Sequence, residues 1–466
     1  MKLFVTASAA IALLSSSLVG QTSSPIQDSR VQELIDMVSA ERVEHDIRRL
    51  VGFGTRHTMS DTLSTTRGIG AARRWIYAEF ERISQACGEC LEVTYVSEVF
   101  DLFSRLPDST KQRLRIPDST NVVNVLAIQR GTSDPNRVLV MSGDIDSRIS
   151  ARTNYTDSAP GANDNASGVV GVIEAARVMS QRSYGATVVY AALSGEEQGL
   201  FGGRTVARNA AERGWNIEGV LNNDMIGNIE GVNGRIDNTT ARVFSDGVPP
   251  TETDQQRRRR RFTGGEVDGV SRQLARYVDH IADLYLPSLD VMMIYRLDRF
   301  GRGGHHRPFA DLGFPAVRIM ETNENYTRQH QDIRNEDGIA YGDVIAGVNF
   351  EYAAKLTSLN IAALASLAWA PAQPEAAIIC GAVQPHARMK WQPPEDRSTL
   401  AGYRVYWRLT DSPTWDFSRW VGNQTAHTFD GLVIDNFFFG VASVSGDGSE
   451  STVAFPVAGS RSACAN

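Results

Sequence analysis

"VLVMSGDIDSR", residues 138–148, is the stretch on which the fold reading turns. A Val-rich apolar run stops at Gly143 and delivers Asp144 and Asp146 in quick succession. A run that is apolar on both faces is the pattern of a strand inside a sheet covered on both sides. From Asn121 to about Leu367 such strands alternate with helical stretches. "NVVNVLAI" (121–128), "GATVVYAALSG" (185–195), "EGVLNNDMIG" (218–227), "VMMIYR" (291–296) and "PAVRIME" (315–321) read as strands. "ASGVVGVIEAARVMSQ" (166–181), "LFGGRTVARNAAERG" (200–214) and "GVSRQLARYVDHIADLY" (269–285) have helical spacing. The alternation predicts an α/β fold with substantial parallel content. In such sheets the ligand site lies beyond the carboxyl ends of the strands.

A chain of 466 residues predicts more than one domain. Its net charge of −7 gives no reason to expect a nucleic-acid partner. The one basic block, Arg257 to Arg261, reads as a solvated loop in a polar insertion. Residues 1–20 have the pattern of a secretory signal peptide: an early lysine, a small and apolar stretch, then a polar break. No later segment reaches membrane-spanning length, so the expectation is a secreted or periplasmic protein with no stable membrane insertion. Four cysteines suit an oxidising compartment, and local pairing of Cys87 with Cys90 and of Cys380 with Cys464 is the economical arrangement.

After the Pro/Ala-rich "AWAPAQPEA" the texture changes to alternating strands with turn signals and no helical period. Trp391, Tyr403 and Tyr406 read as packing residues of a small all-β sandwich. On its Trp-Gln-Pro-Pro, Tyr-Arg-Val-Tyr and Asn-Phe-Phe-Phe-Gly-Val stretches, this segment resembles a fibronectin type III domain. The expected division is residues 1–20 as signal peptide, 21–370 as catalytic domain and 371–466 as the sandwich. Contact with a cell surface or polymer and a passive stabilising role are the alternatives for that last segment.

The expected strand ends carry Asp144 and Asp146, Asp164 in "PGANDNASG", Glu196 and Glu197 in "LSGEEQGLFGG", and Asp224 in "NNDMIGN". One acid after a strand is usually a cap or a turn former. So many on one rim repel one another unless cations sit among them, which points to bound metal. The glycine-rich "GRGGHHRPF" adds His305 and His306; for His57 in "FGTRHTMSD" and His330 in "NYTRQHQD", contact with the substrate end in the cleft and a structural or surface role are the alternatives.

The order of Asp-Asn-Ala-Ser-Gly, Ser-Gly-Glu-Glu-Gln-Gly-Leu-Phe-Gly, Asn-Asp-Met and Gly-Gly-His-His-Arg-Pro-Phe resembles the co-catalytic dinuclear zinc exopeptidases of the bacterial secreted leucyl aminopeptidase and glutamate carboxypeptidase type. The resemblance implies a three-layer α/β sandwich around a mixed, mostly parallel sheet. It also implies two divalent ions, about 3.5–4 Å apart, that acidify a water and polarise a carbonyl. Asp164 is then expected to bridge the ions, Glu197 and His306 to bind one, Asp224 the other, and Glu196 to act as general base. Where the family has a histidine, this chain has Asp144, with Asp146 behind it as a supporting acid. That makes one site carboxylate-rich, with relaxed preference among zinc, manganese and cobalt. His305 stands where the family has an aspartate, and is expected beside the site. The implied activity is removal of N-terminal residues from peptides. The alternatives are an impaired, receptor-like relative, or a carboxypeptidase or glutaminyl cyclase of the same fold.

Overall fold

The computed structural model describes residues 27–265 and 268–464. The expected signal peptide lies outside them. An eight-stranded mixed sheet is formed by β1 (Glu92–Phe100), β2 (Thr120–Gln129), β3 (Asp134–Asp144), β4 (Ala186–Leu193), β5 (Asn216–Asn223), β6 (Thr240–Ser245), β7 (Asp290–Ile294) and β8 (Ala316–Glu321). Their spatial order is β1-β2-β4-β3-β5-β8-β6-β7. The four middle strands, β4, β3, β5 and β8, run parallel, whereas the pairs β1–β2, β2–β4 and β6–β8 are antiparallel. The carboxyl ends of these four parallel strands therefore open on one rim.

Alternation along β3 shows why the run could be apolar throughout. Leu139 and Met141 face one core, and Val138 and Val140 face another. The first core is completed by helices α1 (Ser29–Asp36), α2 (Ala40–Val51), α3 (Gly68–Ala86), α5 (Gly168–Met179), α9 (Val270–Tyr285) and α11 (Phe350–Trp369). The short α4 (Asp108–Leu114) precedes β2, and α6 (Glu196–Gly199) leads into α7 (Phe201–Glu212). The second core lies under α7 and α10 (His306–Asp311), through Val206, Ala207, Ala210 and Phe309. Each fully buried aliphatic or aromatic side chain in these cores contributes about 1.5–3 kcal/mol.

Two glycines let the pieces of the rim approach. A Cβ on Gly143 would fall 2.5 Å from the backbone of Gly168 and Val169, and one on Gly168 would fall 2.2 Å from the Asn223 carbonyl oxygen. The start of α5 therefore abuts the ends of β3 and β5, with Asp144, Asp164 and Asp224 beside it. The arginine block is not a loop but part of α8 (Asp254–Thr263), an exposed helix started by a reciprocal Thr253–Gln256 capping box.

Beyond a small hairpin, β9 (Arg334–Glu336) with β10 (Ile339–Tyr341), the chain forms two further sheets. One contains β11 (Glu375–Cys380), β12 (Ala387–Gln392), β15 (Ala426–Phe429) and β17 (Val457–Ala458). The other contains β13 (Leu400–Leu409), β14 (Phe417–Gly422) and β16 (Phe437–Ser445). Trp391, Tyr403, Val405, Trp407 and Phe439 share their core. Tyr406 does not join it: it points to the opposite face of β13, and its hydroxyl donates to Glu450. That face docks on α9, where Tyr277 donates to the Glu450 carbonyl (3.0 Å) and Asp268 binds Arg276 and Arg408 (2.6 Å each). Disulfides join Cys87 to Cys90 and Cys380 to Cys464, as expected.

Candidate metal centre

Three parallel strand ends and two further segments build the site. Asp144 closes β3, opposite Leu193 of β4. Glu196 and Glu197 open α6, which starts three residues past the end of β4. Asp224 follows β5, and Asp164 lies in the turn before α5. His330 comes from the loop after β8, the fourth parallel strand of this rim.

The tightest group is Asp164, Glu197 and His330. His330 Nε2 lies 2.9 Å from Asp164 Oδ2 and 3.0 Å from Glu197 Oε1. Among the described residues, this is the one set of three or more His, Cys, Asp or Glu side chains whose donor atoms all lie within 4.8 Å of one another. Burial pushes the Asp164 carboxyl up, but the charge and hydrogen bond of His330, with Arg299 and Arg302, outweigh it and hold it well below the usual range. Burial likewise lowers the His330 imidazole, and the two carboxylates overcome this to raise it to about 9. Arg148 holds Glu197 from behind, its Nε donating to Glu197 Oε2 (2.7 Å), while its Nη2 lies 2.6 Å from His330 Nδ1. Two oxygens and an imidazole nitrogen are donors that zinc accepts, and three protein ligands leave a position for water or substrate.

Glu196 sits next to Glu197 in sequence and is half-buried. Burial, followed by the charges of Asp224, Glu197, Asp144 and Asp164, raises its carboxyl well above the usual range. A cation held by the group would offset that repulsion and favour the carboxylate form.

Asp146 does not support Asp144. Its two oxygens accept from the backbone N–H groups of Glu196 (3.2 Å) and Glu197 (3.1 Å), and Thr58 donates to it as well. It thereby fixes the peptide that carries both glutamates, at the start of α6 where unpaired N–H groups need an acceptor.

His306 lies outside the acidic group. Its Nε2 is 2.8 Å from the Leu297 carbonyl oxygen and 3.6 Å from Asp298, beneath the rim where α10 packs on the second core. The role expected of His306 as partner of Glu197 thus falls geometrically to His330. His305 accepts from the Gly203 N–H through Nδ1 (3.1 Å), which leaves the proton on Nε2, 3.5 Å from Asp144 Oδ1. Burial, then the neighbouring His306 and Arg204, lowers it to about 3, so it stays neutral. Its ring stands beside Asp144.

Asp144 and Asp224 do not join the Asp164 group. Asp144 Oδ2 accepts from Asn165 (2.7 Å). Asp224 is bound by an arginine that the sequence reading did not single out. Arg318 Nη2 lies 2.8 Å from Asp224 Oδ2, and its Nε donates to the Asp224 carbonyl (2.6 Å). Arg318 is fully buried.

Residues 124–346 match peptidase family M28. The "Probable zinc metalloprotease" of Pyrenophora teres f. teres is 40% identical over 432 residues, 92% of this chain and 87% of that relative. The "Probable zinc metalloprotease" of Leptosphaeria maculans is 39% identical over 436 residues, 93% of this chain and 98% of that relative. In fold the chain is similar to LapB from Legionella pneumophila, with a TM-score of 0.51 and 17% identity over 74% of this chain and 78% of that one. The LapA aminopeptidase of the same organism gives a TM-score of 0.50 at 16% identity, again over 74% and 78%. The family match, with relatives 39–40% identical over more than nine-tenths of this chain, establishes that the protein belongs to the zinc-dependent peptidase family M28.

Proposed function

We propose that the protein is an exopeptidase that removes N-terminal residues from peptides, with zinc held by Asp164, Glu197 and His330 and with Glu196 as general base. One observation carries the reading: a three-donor group on a sheet rim, with an acid beside it that binds nothing in that group. The donor types fit zinc, and Arg148 keeps Glu197 in place through the oxygen that faces away from His330. Were His330 Nε2 to hold the ion, its ring proton would sit on Nδ1, and Arg148 Nη2, now 2.6 Å from Nδ1, would have to withdraw.

Zinc supplies a Lewis acid that polarises the scissile carbonyl and acidifies water. The chain's own part is to move protons. Glu196 accepts the proton of the attacking water and passes it to the leaving amine, a step that needs a carboxylate within hydrogen-bond reach. Asp146 holds the Glu196 backbone in register for that transfer. The many acids around the group give a favourable field for the ammonium of a free peptide N-terminus.

The test is hydrolysis of aminoacyl anilides compared with N-blocked and C-blocked peptides, with and without chelator, on wild type and Glu196→Gln. The expected result is cleavage of substrates with free N-termini only, abolished by chelation and reduced at least about 100-fold in Glu196→Gln. Cleavage from the carboxyl end, or ring closure of an N-terminal glutamine without hydrolysis, would refute the aminopeptidase reading.

A further inference from the structure

The resemblance to dinuclear exopeptidases assigns a second ion to the Asp224 side of the site, with Asp164 as bridge and the Asp144 position as a further ligand. We infer that this chain binds one divalent ion, at Asp164–Glu197–His330, and that the Arg318 guanidinium serves as the fixed cation on the Asp224 side. The inference rests on the metallopeptidase reading above and concerns how many ions that site takes.

Three observations carry it. First, the carboxylate oxygens of Asp144, Asp164 and Asp224 do not form a group within 4.8 Å of one another, whereas the Asp164–Glu197–His330 donors do. Second, Asp224 already has two guanidinium groups against it. Arg318 touches its carboxylate and its carbonyl, and Arg299 Nη2 stands 3.9 Å from the same oxygen. Third, Arg318 is locked. It projects from β8, beside Asn222 of β5, and its Nη1 is bound by Asp298 (3.0 Å) and by the Gly303 carbonyl (3.1 Å). Asp298 in turn contacts Arg299. Swinging the guanidinium out would leave Asp224 and Asp298, both buried, facing each other without it.

A guanidinium has donors only and cannot lose its charge in a protein. It therefore balances a carboxylate permanently, and it repels a divalent ion that approaches the same oxygen pair. The aspartate at position 144 fits this arrangement. An imidazole there serves an ion, whereas Asp144 is held by Asn165 and faced by neutral His305. The competing arrangement is a second ion between the Oδ1 atoms of Asp144 and Asp224, neither of which has a hydrogen-bond partner.

The full chain, stripped with chelator, is titrated with Zn2+ and the bound ion counted by elemental analysis and calorimetry. Mn2+ loading is followed by electron paramagnetic resonance. One Zn2+ per chain and an isolated Mn2+ spectrum are expected. Asp224→Asn should keep that ion with affinity within about 3-fold of wild type, since Asp224 is outside the ligand group. Two ions per chain, a spin-coupled Mn2+ pair, or loss of the ion in Asp224→Asn overturns the inference while leaving the metallopeptidase reading intact. No ion at all in wild type overturns both. The wild-type count decides the question if the variant fails to fold.

Discussion

Replacing His330 and His306 separately by alanine distinguishes two histidines that the sequence alone confuses. His330 supplies one of three donors, with its Nε2 2.9 and 3.0 Å from the two carboxylate partners. Disturbing a residue that merely orients a ligand weakens metal binding about 10–100-fold, so removing a ligand should exceed the upper end, at least about 2.7 kcal/mol. The apo protein should lose stability as well, by about 3–5 kcal/mol, because the buried Asp164 and Glu197 carboxylates lose the cation that favours their charged forms. His306→Ala should act on stability alone. Its ring is fully buried, and its loss leaves the Leu297 carbonyl without a donor, at a cost of about 1–3 kcal/mol, with zinc affinity within about 3-fold of wild type. Competition against a chromophoric chelator reads the affinity, and urea unfolding of the apo proteins reads the stability. Retention of wild-type zinc affinity by His330→Ala, or its loss in a folded His306→Ala, would refute the assignment of the ligand group.

Gly143→Ala should destabilise the fold by about 1–3 kcal/mol in urea unfolding, because the new methyl meets backbone atoms of Gly168 and Val169 that have no rotamer to yield. Asp268→Ala should cost about 3–5 kcal/mol in the same assay, since it strips the buried guanidinium groups of Arg276 and Arg408 of their shared carboxylate; an unchanged midpoint would show that the docking of the β sheets on α9 does not depend on it. The last prediction concerns pH. Burial, followed by the charges of Asp283 and Asp290, raises Asp279 from 3.8 to about 7. Below about pH 4 both the folded and unfolded states hold the proton; between about 4 and 7 the folded state holds it more tightly, so stability falls as pH rises, and above about 7 the loss is complete. Asp279→Asn should therefore equal wild type near pH 4 and exceed it at pH 8 by about 1–2 kcal/mol, after discounting for the exposed part of the side chain. Parallel stability curves for the two proteins would contradict the shift.

The fold was legible where burial is symmetrical. β3 and β4 are apolar on both faces because both faces are covered, and the α/β alternation follows from that. The acids were legible for the same reason: Asp144, Glu196, Glu197 and Asp224 follow the ends of parallel strands, where nothing else in the sheet requires a charge. The apolar periodicity of the C-terminal strands located the sheets but not the face of β13 that docks on α9. Tyr406 looked like a core residue because alternation distinguishes two faces without saying which one meets the rest of the protein.

The histidines show what the rule about strand ends can do when it is applied to the end. "GGHH" attracts notice as a motif, yet it precedes β8 and starts α10, so its rings turn down into the packing beneath the rim. His330 follows β8, and β8 pairs in parallel with β5, so its loop must emerge on the same rim as Asp224. The signal that finds it is chain direction, available once "PAVRIME" is taken as a parallel strand. The same seven residues also contain the arginine. A guanidinium at the centre of a strand that is otherwise buried cannot remain unpaired in a low-dielectric core, so it demands a carboxylate from a neighbouring strand. The neighbouring strand end offers Asp224. Counting acids alone therefore suggests two ions, whereas the buried arginine already stands as a cation against one of those acids, Asp224.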